Sequence, residues 1–200
     1  MKRGLILVVL SVGLSGVVRG ETFSIDPYHS SVSFKVKHVV GKVTGHFDKY
    51  SGTFDYDAAK PEAWKAQASI DAATINTGVD LRDNDLRSAK YFDVQKFPTL
   101  TFKSTGVTDL QAGIAGSAGQ GQTAKLHGDL TIHGVTKLVV LDLVIAGVAK
   151  DPMGKGNRAG ATATGHVNRL DYGVGPSSGP TAGMVGQDVE ITIEIEGVSK

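Results

Sequence analysis

The chain has 200 residues, 40% hydrophobic and 20% charged, which suits one globular domain with a sizeable core and requires no second domain. It has no cysteine and a formal charge of only +1, so a disulfide-held scaffold is excluded and a nucleic-acid partner is disfavoured.

Met1, Lys2 and Arg3 open the chain, followed by an apolar run over residues 5–14 and a small-residue stretch ending at Val18, Arg19 and Gly20. This pattern predicts a cleavable secretory signal peptide over residues 1–20. The apolar run is shorter than the roughly 20 residues that span a bilayer, so no transmembrane anchor is expected in the mature chain. Without cysteine there is no site for lipoprotein acylation. A domain over residues 21–200 remains, exported, soluble and formally −2 once three basic residues are removed.

From there the dominant signal is alternation of apolar and polar residues with period two, the mark of half-buried antiparallel strands. Strands are predicted over residues 23–28, around Val32, Phe34 and Val36, and over 44–55 and 65–71. Residues 80–92 read as one short helix, with Asp80 as its N-cap and Leu81, Leu86 and Ala89 near one face. Strand candidates resume over residues 100–108. Residues 112–122 are almost entirely Gly, Ala, Ser and Gln and predict a flexible hairpin loop. Further strands follow at residues 126–132, 138–149, 161–168 and 191–195. The segment 138–148 is apolar on both faces, with Leu138, Val140 and Val144 opposite Val139, Leu141, Leu143 and Ile145, so cover on both sides is expected.

That number of strands suits a closed antiparallel β-barrel of about eight strands with one short helix. Such a barrel is either filled by side chains or hollow enough for one small ligand. Period alone leaves both open. The modest size of many inward candidates, Val, Ile, Leu and Ala, favours a hollow, and burial of an apolar chain there gains roughly 0.8 kcal/mol per CH₂ before ordering costs. The candidate lining is Phe34, Val36, Phe47, Ile70, Phe102, Leu130, Ile132, Leu141 and Leu143.

Several motifs carry a resemblance. Asp26-Pro27-Tyr28-His29-Ser30-Ser31 with Gly45-His46-Phe47, Leu86-Arg87-Ser88-Ala89-Lys90-Tyr91-Phe92-Asp93, Phe97-Pro98-Thr99, Gly128-Asp129-Leu130-Thr131-Ile132-His133-Gly134 and Asn168-Arg169-Leu170-Asp171-Tyr172-Gly173 follow one another in order. The whole resembles the YceI-like polyisoprenoid-binding proteins. The resemblance implies a lipocalin-like barrel in the bacterial periplasm that binds polyprenyl chains, isoprenoid quinones or fatty-acid derivatives, with no cofactor. Asp85, Met153 and Ala161 depart from it, standing where histidine, tryptophan and an aromatic residue are frequent.

An amphiphile's head needs hydrogen-bond donors at the barrel's rim, and arginine forks suit phosphate oxygens. Arg82, Arg87, Arg169, His133 and Lys137 are therefore the head-group candidates. The alternative for the helix residues is bracing, with Asp83 and Arg87 paired at i, i+4. For His133 it is a turn-stabilising bond to backbone.

Metal binding has little support: His127 and His133 lie about 20 Å apart along one strand, and His38 with His46 lack a third ligand. Nucleophile elbows, zinc-protease pairs, calcium loops and phosphate-binding loops are absent from the sequence. An enzyme acting on a lipid or quinone through His133, Asp171 or Tyr172 is the competing class, and a filled barrel presenting a surface to an envelope protein is a third. Residues 189–198 offer an edge for homodimer pairing only if the barrel does not close over it.

Overall fold

The computed structural model describes residues 20–57, 60, 63–113, 121–154 and 156–199. In chain order its elements are β1 (Glu21–Ile25), β2 (Ser31–His38), β3 (Gly41–Phe47), β4 (Tyr50–Tyr56), β5 (Lys65–Asp71), β6 (Ile75–Asn76) and α1 (Asp80–Arg87). Then follow β7 (Thr99–Gln111), β8 (Gln122–Ile132), β9 (Val135–Lys150), β10 (Asn157–Asn168) and β11 (Val185–Ser199).

The first six segments are three bent strands. β1 and β2 lie end to end along one edge of β11, β4 and β3 lie end to end beside them, and β5 and β6 come next. Joined to β7 through β11 by antiparallel pairing, these paths form a closed eight-strand barrel in which each path neighbours the next in sequence.

The bends have local causes. Pro27 has no N–H to give to a ladder, and Ser30 bridges the gap: its hydroxyl donates to Glu196 O and accepts from Glu196 N. The third path bends at a 3-10 turn, Ala72–Thr74, where the Asp71 side chain accepts from Ala73 N.

One end of the barrel is sealed. The crossover from β6 to β7 carries α1 across it, and Leu86, Phe92 and Val94 pack on Phe47, Ile70, Ile75 and Leu100. Tyr91, Tyr172 and Val174 join the adjoining core, the last two from the 3-10 turn Arg169–Tyr172 and the residues after it. Gly175 has φ +78, and a Cβ there would fall 2.6 Å from the Tyr91 ring, so only glycine lets that loop close.

Three expectations are corrected. The helix stops at Arg87, its N-cap is Val79 with no side-chain bond, and Asp80 sits inside the first turn. Leu81 and Ala89 are exposed, and Asp83 is the buried helix residue. The outer face of β9 is uncovered among the described residues, with Leu138 63% exposed and Val140 and Val144 open to solvent. Residues 189–198 are no free edge: β11 pairs with β10 on one side and with β1 and β2 on the other. Residues 1–19 of the expected signal peptide, and 114–120 of the expected loop, lie outside the described residues.

Candidate ligand cavity

Side chains alternate in and out along each strand, so every second residue points into the barrel. β10 presents Ala159, Ala161 and Ala163, and β11 presents Ile191, Ile193 and Ile195. β9 adds Val139, Leu141, Leu143 and Ile145, and β8 adds Leu126 and Leu130. Small residues on β10 face branched ones on β9 and β11, and the gap they leave is a cavity of about 160 Å³ with an almost wholly apolar wall. Gly128 sets the position of one wall ring: a Cβ there would meet the Phe102 ring at 2.3 Å.

The cavity runs from Val32, Tyr50 and Leu130, above the sealed end, to Tyr56, Trp64, Val107 and Ile145 toward the other. There the Tyr56 and Trp64 rings lie 4.9 Å apart, and Trp64 Nε1 donates to Asp57 O at 2.8 Å. Thr53, Asp55 and Gln67 also border it, but Thr22 Oγ1 donates to Asp55 and Gln67 Nε2 to Thr53 Oγ1, at exposed positions. Among the described residues no arginine or histidine lines the space, and Lys65, exposed and opposite Asp55 in the ladder, is its one basic neighbour.

Of the residues expected to line a hollow, Ile70, Phe102, Leu130, Leu141 and Leu143 do so. Phe34, Phe47 and Ile132 pack instead into the seal. Val36 is half-buried nearer the hairpin tip of β2 and stands apart from the cavity wall. The inward parity was right for these residues, but the crossover occupies their end of the barrel. The isoleucines of β11 and the alanines of β10 were missed as lining, although the same period marks them.

The expected head-group residues do not converge. Arg82 donates to Thr77 O and Oγ1, and Arg87 to Ala73 O and Ile75 O, so both tie the helix to the path beneath it. Asp83 accepts from Thr77 N at 2.9 Å in place of the expected pairing with Arg87. Arg169 is 6% exposed and donates to the carbonyls of Val174, Val185 and Gly186, and burial lowers its pKa. His133 Nδ1 contacts Tyr172 O at 3.2 Å and its ring meets Phe97 edge-on, the turn-stabilising alternative. Lys137 is exposed, across the ladder from Leu130.

A polar cluster that the sequence reading did not assemble lies at the first bend. Asp26, His29 and Glu196 bring potential ligand atoms within 4.8 Å of one another. Arg158 already occupies that space, donating to Asp26, Glu196 and Asp151, so a cation would compete with a guanidinium. The His29 ring, followed by the turn and Arg158, holds the Asp26 carboxyl below the usual carboxylate range. Tyr172, His133 and Asp171, the candidates for catalysis, do not face a shared space: the Tyr172 hydroxyl is buried, His133 is held by a carbonyl and Asp171 is exposed.

Comparison with known proteins agrees with this architecture. Residues 23–197 match the family model described as YceI-like domain. A UPF0312 protein of Pseudomonas savastanoi pv. phaseolicola is 37% identical, covering 97% of both chains, and one of Shewanella baltica is 36% identical over 86% of this chain and 83% of its own. Among solved structures, Burkholderia cenocepacia BcnA superposes with TM-score 0.71 at 23% identity, covering 86% of this chain and 98% of its own. The Campylobacter jejuni YCEI protein does so with 0.66 at 32%, covering 79% and 85%. A polyisoprenoid binding domain from Saccharophagus degradans gives 0.66 at 18%, covering 91% and 100%. Barrel, helix and matched span together make this chain a member of the YceI-like domain family.

Proposed function

We propose that this protein is a periplasmic carrier that encloses the tail of a polyisoprenoid or a similar long-chain amphiphile in its barrel. The observation that carries the reading is the apolar cavity inside a closed sheet, a place where water finds no polar partners and methylene groups need none. Membership in a family with a polyisoprenoid binding domain among its structural relatives supports the choice of tail. With no arginine or histidine on the wall among the described residues, a phosphate or other anionic head stays outside while the tail lies within. The N-terminal pattern of residues 1–20 supports export, and the mass of protein recovered from the periplasm should lack that segment.

Native mass spectrometry of gently purified protein is the test. A bound lipid of long-chain mass is expected, and repeated recovery of lipid-free protein alone would count against the carrier. Ala161→Trp, which puts an indole into the cavity from the β10 wall, should reduce retention of that lipid at least about tenfold, the equivalent of roughly 1.4 kcal/mol.

A further inference from the structure

The hairpin between β2 and β3 breaks two local rules at one place. His38 pairs with Gly41, so the turn has only Val39 and Val40 at its centre. Such a turn demands left-handed backbone at its first central residue, where glycine is favoured. Val39 takes φ +48, an unfavourable state for a β-branched residue, and Val40 is 99% exposed. Behind the tip, Lys37 and Lys42 stand directly opposite each other in the ladder, a destabilising like-charge pair. Lys35 shares their face, and residues 31–47 hold Lys35, Lys37, His38, Lys42 and His46 with no acidic residue. Glu190 of β11 bonds Lys42 and lies opposite Lys35.

Neither valine joins the core or the cavity wall, so the fold gains nothing from them. Met184, also exposed, accepts the Val39 N–H at 3.0 Å and adds a third apolar side chain to the tip. The shape is convex, and three side chains offer far less than the roughly 800 Å² that each partner gives to a stable protein interface. An apolar point with a basic collar complements an anionic bilayer, where the point enters the interface and the cations meet phosphates.

We propose that this hairpin tip docks the protein on anionic membranes, with Val39 and Val40 inserted at the head-group level and Lys37, Lys35 and Lys42 against lipid phosphates. The docking does not depend on an occupied cavity, so it stands or falls apart from the carrier reading.

The test is co-sedimentation of protein purified from the bacterial envelope with vesicles of phosphatidylglycerol and phosphatidylcholine or of phosphatidylcholine alone. Wild type should sediment with the anionic vesicles, less with neutral ones, and less as salt rises. Lys37→Gln should weaken the anionic binding about fivefold, the loss expected for one lysine near such a surface. Val39→Gly with Val40→Ser gives the left-handed position its preferred residue, so the fold should melt no lower while vesicle binding falls to the neutral level. Ala161→Trp should bind vesicles like wild type. Equal binding by the Gly-Ser variant, no binding by wild type, or loss of binding in Ala161→Trp would each overturn the proposal, the last by showing that lipid uptake into the barrel holds the vesicle.

Discussion

Tyr172 is 2% exposed, and its hydroxyl reaches no hydrogen-bond partner among the described residues. A buried donor without an acceptor costs free energy that phenylalanine would not, so Tyr172→Phe should raise stability to urea by about 1 kcal/mol. Burial, reinforced by Asp171, also raises the phenol's pKa, as burial does for Tyr50 and Tyr56. These groups fold as neutral phenols. Their contribution is intact below the ordinary tyrosine value near 10 and is lost as pH rises through the higher folded values. Stability should therefore fall above about pH 10, less steeply in Tyr172→Phe, as read by unfolding curves at successive pH values. Arg169→Met predicts the opposite kind of result: the carbonyls of Val174, Pro176, Val185 and Gly186 lose their donor, and the loss should be roughly 3 kcal/mol or more. The sequence shows that an arginine is present; it does not show the course of the loops whose carbonyls it binds, which is why Arg82, Arg87 and Arg169 read equally well as head-group ligands.

Among the elements, the strands were legible and their interruptions were not. Period two located β5 over residues 65–71 and placed the cores of β2, β8 and β11. It ran 44–55 together, because the bend between β3 and β4, where the inward face passes from Phe47 to Tyr50, depends on the 3-10 turn of the next path. Helix α1 was misjudged in its buried face for a related reason: Asp83 turns inward to cap the approach at Thr77. Asp83→Ala should cost about 1–3 kcal/mol in denaturant unfolding, since Thr77 N–H loses its acceptor in a half-buried setting. The bend after β1 has its own signature. Asp26 is held ionised by His29 and Arg158, and Glu190 by Lys42, so both carboxyls lie below their ordinary values. Such stabilisation is present above the unfolded carboxylate range and disappears as pH falls through the folded values. Melting temperature should accordingly change little from these two groups between pH 7 and 5 and drop below about pH 4, with Asp26→Asn flattening that drop.

At the scale of the molecule, closure was predictable and volume was not. Eight paths with alternating faces and no cysteine leave a barrel whose stability rests on its own core. Whether such a barrel is hollow depends on side chains from strands far apart in sequence, here the alanines of β10 against the isoleucines of β11 and Phe102 lying over Gly128. A ligand held in that space stabilises the folded state by mass action, by about 2.7 kcal/mol at a free concentration a hundredfold above its dissociation constant. Addition of a long-chain amphiphile should thus raise the melting temperature of delipidated wild type and leave Ala161→Trp unmoved.

The α1 crossover and the turn at Arg169–Tyr172 stopper the barrel at one end. For the carrier proposed above, a stoppered tube is a sheath and not a conduit: a tail that slides in would have to back out by the same doorway, last atoms first. On that reading, a chain longer than the sheath is deep would leave its remainder trailing in the open, where an acceptor could grip it before the rest had let go.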